Sequence, residues 1–277
     1  MTAAASADSG GRRRFVAPPR GAVDAMCFAQ PLYAALREVQ DLLTAADWPS
    51  IPVLDARLAL PHRQLIAQDA ALLADGLHYE TRIAERGQIA TRADNWHDLF
   101  NALVWARYPA IKQALNQQQC RHIAAMPSGQ RNRAQAALTQ FDETGVIVRV
   151  RDPAVLQAWD RHDWSALFVD GADAWREGDI AVAAVIGHAL MEQALLPGRL
   201  LVGKCVVVQG DEDARAVAQV AALIERGRLL NDPLDLRPLP LMGIPGWHAG
   251  QDAVFYQQAG YFRPAREGRK YPAPSIG

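Results

Sequence analysis

The chain has 277 residues, 50% hydrophobic and 21% charged, with 29 basic and 30 acidic residues for a net charge of −1. That balance fits an ordinary soluble globular protein with a sizeable core, and it excludes bulk electrostatic recruitment to nucleic acid or an anionic membrane. Cys27, Cys120 and Cys205 are odd in number and lack CxxC spacing, which points to reduced cytoplasmic thiols rather than a disulfide framework.

Arg12-Arg13-Arg14-Phe15-Val16 faintly resembles a twin-arginine export signal, but Ala17-Pro18-Pro19-Arg20-Gly21 breaks the apolar core such a signal needs. Residues 1–24 therefore read as a disordered arm. Pro31 suits a first helical position, and Leu32, Leu36, Val39 and Leu43 give a stripe that Trp48-Pro49 closes. Val53 to Leu60 reads as a strand. So does Leu77 to Ile83, where apolar and polar residues alternate. A helix from Asp94 to Trp105 follows, and the Tyr108-Pro109 step breaks it and starts another. On that second helix Lys112 and Asn116 share a face, opposite Ile111 and Leu115.

Leu138 to Val150 reads as a hairpin, with Asp142-Glu143-Thr144-Gly145 as its turn. Pro153 to Phe168 reads as a helix. Ile180 to Ile186 is a candidate strand turning at Gly187 into a helix at His188, although a continuous helix fits the same run. At Ile180 to Met191 this longest apolar run is too short for a bilayer span of about 20 residues. Leu200 to Val208 reads as a strand. The helix after it starts at Asp211 and stops at Gly227. Residues 233–248 are proline-rich and extended, and 264–277 read as a loose tail. The expected architecture is a mainly helical α+β fold, one domain over 25–263 with a small mixed or antiparallel sheet.

The helix at Asp94 to Trp105 is where chemistry concentrates. With Asp94 as N-cap, Trp96, Phe100, Leu103 and Arg107 gather on one side. Asp94, His97, Asp98 and Asn101 gather on another. A buried polar stripe must be hydrogen-bonded or cost roughly 1–3 kcal/mol per orphaned group. Two roles stay open for it: a catalytic stripe, or a capping network around a satisfied core histidine.

His188 and Glu192 stand at i, i+4, as do His97 and Asn101, a spacing that serves one metal ion or a general-base pair. Asp142 and Glu143 add an adjacent carboxylate pair, suited to acid–base work, to a hard cation or simply to a turn. No H-E-x-x-H, G-x-S-x-G, P-loop or G-x-G-x-x-G signature is present. Cofactor and metal are left unassigned.

Asn95-Trp96-His97-Asp98-x-Phe100-Asn101-Ala102-Leu103-Val104-Trp105 resembles the signature of a bacterial family known only as a domain of unknown function. Tyr79-Glu80-x-Arg82-Ile83, Leu138-Thr139-x-Phe141-Asp142-Glu143-x-Gly145, Gly187-His188-Ala189-Leu190, Pro245-Gly246-Trp247 and Phe262-Arg263 resemble it too. One departure is Asn132-Arg133-Ala134-Gln135, where the family pattern carries Arg-Asp pairs. The resemblance implies one domain and polar clusters that belong to the family, but no activity.

The expected function is a cytoplasmic enzyme of hydrolase type, with a site of His97, Asp98, Asn101, Asp142, Glu143, His188 and Glu192. Here His97 is general base or metal ligand, and Asp98 or Asp94 orients it. The alternative is a non-catalytic binding or scaffold protein whose polar clusters are structural and whose segment 233–248 docks a partner. Its partner would be a small molecule or a protein. Neither a membrane nor specific nucleic acid is expected, the basic termini (Arg12–Arg14; Arg263, Arg266, Arg269, Lys270) giving salt-sensitive contacts at most.

Overall fold

The computed structural model describes residues 15–127 and 129–276. Two parallel strands, β1 (Gln64–Ala67) and β2 (Gln88–Thr91), form a small sheet with Gln64 opposite Gln88. A larger sheet joins β3 (Gly145–Val150), β4 (Ile180–Val185), β5 (Val202–Gln209) and β6 (Arg237–Pro240) in the order β4-β3-β5-β6, and β7 (Ser275–Ile276) pairs β5. The sheet is mixed: β3 runs parallel to β5 but antiparallel to β4, and β5 runs antiparallel to β6. Every residue of β3 is buried, as a strand covered on both faces requires.

The principal helices are α1 (Ile51–Leu58), α2 (Tyr79–Arg86), α3 (Trp96–Arg107), α4 (Pro109–Ala125), α5 (Arg133–Thr144), α6 (His188–Gln193) and α7 (Asp213–Glu225). The fold is mainly helical α+β. Its buried apolar residues form one continuous cluster from Phe28 to Phe262. Among the described residues no helix is long and apolar enough to cross a membrane.

Several local expectations are overturned. Val53 to Leu58 lies in α1, which follows the N-cap Ser50 with Pro52 in its first turn, and Ala59, at φ 44°, ends it. Leu77 to Ile83 is no strand but the start of α2, where the His78 side chain accepts from the Glu80 N–H and Gly87, at φ 66°, stops the helix. Its alternation is accidental; Arg82 faces inward, giving hydrogen bonds to Leu72 O and Asp75. The expected hairpin at Leu138 to Val150 is α5 running directly into β3. A capping box of Asn132 and Gln135 starts α5, and Ala134, Ala137, Leu138 and Phe141 bury its inner stripe. Asp142 and Glu143 are therefore the last turn of a helix rather than hairpin residues.

Within the described residues, the segments next to both ends are more ordered than composition predicts. Arg12–Arg14 lie outside the described residues, but Arg20 is buried between the Trp48 and Trp96 rings and donates to Leu42 O and Ala45 O. The expected helix from Pro31 is 3-10 over Pro31–Val39 and α only over Gln40–Thr44. Pro153 to Phe168 is likewise broken into short turns of different pitch. Segment 233–248 buries Leu236, Leu239, Leu241, Met242 and Ile244. In the tail Arg237 donates to Pro272 O, and Ser275 pairs with Val208.

Candidate functional site

The site begins with the cap of α3. Asn95, not Asp94, is its N-cap: the Asn95 side chain accepts from the Asp98 N–H at 3.0 Å, while Asp94 has φ 53° outside the helix. Trp96, Phe100 and Leu103 face the core as their spacing predicts, which turns His97, Asp98 and Asn101 toward a cleft of about 670 Å³.

Strand register brings the second wall to His97. Because β3 and β4 pair antiparallel with Val146 opposite Val185, the residues just before β3 lie against those just after β4. Both Ile186 N–H and Gly187 N–H donate to Gly145 O at 2.9 Å. Gly187 is needed for this approach, since a Cβ there would lie 2.6 Å from Thr144 Cα and 2.8 Å from Glu143 O. The first residue of α6, His188, is thereby placed beside Glu143 at the end of α5, and α6 packs on α3.

Four side chains converge. His97 Nε2 and His188 Nε2 are 3.0 Å apart, with their rings nearly perpendicular at 77°. Glu143 Oε1 is 3.9 Å from His97 Nε2, and Glu143 Oε2 is 3.8 Å from His188 Nε2. On its far side His97 Nδ1 donates to Glu192 Oε2 at 3.1 Å. His188 is 4% exposed, His97 27% and Glu143 38%, so the cluster sits at the cleft floor and opens toward solvent. His97, His188 and Glu143 together can hold a metal ion, because one ligand atom from each lies within 4.8 Å of the others.

A second network buttresses the first. Lys112 Nζ donates to Asn101 Oδ1 at 2.8 Å and to Asp142, and Asn101 Nδ2 donates to Tyr79 OH at 2.9 Å. Asn116 Nδ2 donates to Glu80 Oε2 at 2.6 Å. Asp98 is fully engaged by Arg92, accepting from its backbone N–H, Nε and Nη2. Asp98 therefore does not orient His97; Glu192 does.

The electrostatics diverge over short distances. Burial pushes Glu143 above the usual carboxylate range. Burial acts on Asp142 in the same sense, but the Lys112 ammonium and the nearby His188 outweigh it and hold Asp142 low. Burial drives His188 down to about 3, so its ring is neutral near pH 7. For His97 burial is outweighed by the Glu192 hydrogen bond and the Glu143 charge, and its pKa rises. Titratable neighbours displaced in opposite directions are the requirement for acid–base chemistry near neutrality.

Of the residues singled out from sequence, His97, Glu143, His188 and Glu192 meet at the cluster, whereas Asn101 and Asp142 join the Lys112 network and Asp98 joins Arg92. His248, at the end of the proline-rich segment and not among those residues, is stacked on Phe255. Sequence reasoning missed Tyr79, Glu80, Arg92 and Lys112 as members. One signal was available: Lys112, Asn116 and Gln119 form an i, i+4, i+7 polar stripe, and all three are buried. No curated protein and no solved structure matches this chain. A family model described as a protein of unknown function (DUF3025) matches residues 63–266, well over half of the sequence, and the chain belongs to that family.

Proposed function

We propose that the cleft is the active site of a hydrolase, with His97, His188 and Glu143 as its reacting centre and Glu192 as the group that holds His97. The observation carrying this reading is the convergence of two imidazoles and a carboxylate, from three separate segments, on the floor of the cleft. By accepting the Nδ1 proton, Glu192 leaves the His97 Nε2 lone pair facing the cleft. The cluster thus presents basic atoms to a water molecule entering from solvent, which is the first need of a hydrolytic step. Gln68, Arg92, Asn116, Gln130 and Arg131 on the walls suit a polar small-molecule substrate rather than an acyl chain.

The competing reading, a binding protein with a purely structural network, is favoured by the closed bonding of Lys112, Asn101, Asp142 and Tyr79. It leaves His188 without a rationale, because a buried histidine kept for structure should have both ring nitrogens satisfied. Among the described residues His188 Nδ1 has no hydrogen-bond partner.

A panel of chromogenic esters, phosphoesters and amides tests the proposal. Wild type should turn over at least one class, and Glu143→Gln and His97→Gln should each lose on the order of 10²-fold or more, the usual contribution of a positioned acid or base. Melting temperatures close to wild type would tie that loss to chemistry. Absence of turnover across the panel, or wild-type rates in both variants, refutes it.

A further inference from the structure

We propose that His97 Nε2, His188 Nε2 and Glu143 are the protein ligands of one divalent first-row transition-metal ion, with Glu192 as the carboxylate that fixes the His97 ring. This rests on the reading of the cleft as the working site and supplies its missing element.

Geometry is the first argument. Donors on a tetrahedral ion with bonds of about 2.0–2.1 Å stand roughly 3.3–3.4 Å apart. The two Nε2 atoms are 3.0 Å apart, and the Glu143 carboxylate comes within 3.9 Å of one through Oε1 and 3.8 Å of the other through Oε2, on either side of that value. Without an ion, two Nε2 atoms 3.0 Å apart need a single shared proton between them. With an ion, both Nε2 lone pairs point at the same positive charge and no proton is needed between them.

Donor chemistry is the second. Two imidazoles and one carboxylate suit zinc, iron or cobalt far better than magnesium or calcium, which demand oxygen. Three protein ligands on the open side of a cleft leave a position for water, the arrangement of a catalytic rather than a structural site. The third argument is the outer shell. A ligating histidine ordinarily gives its other N–H to a carboxylate, as His97 does to Glu192. Competing carboxylates are already committed, Asp98 to Arg92 and Asp142 to Lys112, so the ligand set is confined to these three residues.

The test uses the full chain, stripped with chelator and titrated calorimetrically with zinc, manganese, ferrous, cobalt and magnesium ions. One equivalent of at least one transition ion should bind and raise the melting temperature, with magnesium far weaker. Glu143→Gln and His97→Gln should weaken binding at least 100-fold, Glu192→Gln by about 10–100-fold as for outer-shell carboxylates, and His248→Gln not at all. Because His188 is fully enclosed, the more accessible His97 and Glu143 variants decide the matter, each checked for an unchanged apo circular-dichroism spectrum. No saturable binding, or wild-type affinity in Glu143→Gln and His97→Gln, overturns the proposal. Turnover that needs Glu143 but no metal sinks the metal site and spares the hydrolase; stoichiometric binding without turnover does the reverse.

Discussion

Gly187→Ala should damage the cluster without touching any of its functional groups. The added Cβ would meet only backbone, at 2.6 Å from Thr144 Cα, 2.7 Å from Thr144 C and 2.8 Å from Glu143 O. Going from 2.6 Å to the 3.4 Å where ordinary contact begins requires a retreat of about 0.8 Å between α5 and the start of α6. No flexible side chain absorbs it, so the backbone must yield, at the roughly 1–3 kcal/mol typical of overpacking. At about 2–4 °C per kcal/mol for a chain near this size, the melting temperature should fall by roughly 2–12 °C. The same displacement separates His188 from Glu143, and misplacement by about 1 Å costs on the order of 10²-fold in a positioned site. Gly210→Ala is the matched control, since nothing lies within 4 Å of its Cβ position. Differential scanning calorimetry and zinc titration read the two effects. If Gly187→Ala melts and binds as Gly210→Ala does, the claim that this glycine brings His188 to Glu143 is wrong.

Lys112→Met removes the cation between Asn101 and Asp142 and leaves a part-buried carboxylate unpaired. Chemical denaturation should show a loss of about 2–4 kcal/mol, less than for a fully enclosed pair. Adding Asp142→Asn should recover part of it. Glu80→Gln should stabilise the protein at neutral pH: burial raises the Glu80 pKa above 4.5, so wild type loses stability as pH rises from there through the folded value, and the amide does not. Melting curves from pH 4 upward should show the gap opening with pH; a gap that closes refutes it. Asn95→Ala deletes the acceptor for the Asp98 N–H and should cost about 1 kcal/mol in urea unfolding. Asp94→Ala should cost less, because Asn95 holds the cap.

Strands β4 and β5 and the faces of the longer helices were legible, whereas β1, β2, β6 and β7 were not. Ile180 to Val185, Gly187 and His188 form a strand, a turn and a helix in the order that composition indicates, and Val202–Gln209 and Asp213–Glu225 stand close to their predicted places. The errors share a cause. Leu77 to Ile83 fits both a period of two and a helical stripe, and the helix gains contacts from just outside the run: Asp75 and Leu72 O receive Arg82. Asp142-Glu143-Thr144-Gly145 has turn chemistry, but Ala134, Ala137, Leu138 and Phe141 supply a helical stripe that core burial rewards more.

The amino-acid order by itself determined the polar face of α3 and the mainly helical α+β character, because periodicity and capping act within a few residues; it set His188 and Glu192 one turn apart on α6, yet Glu192 bonds His97 rather than His188. Which polar residues meet was decided only by tertiary structure. His97, Glu143 and His188 stand 45 or more residues apart along the chain and become neighbours through the antiparallel register of β3 with β4 and the close approach at Gly187. The same packing sent Asp98 to Arg92 and Asp142 to Lys112, since a buried carboxylate must take whichever cation the fold brings within reach.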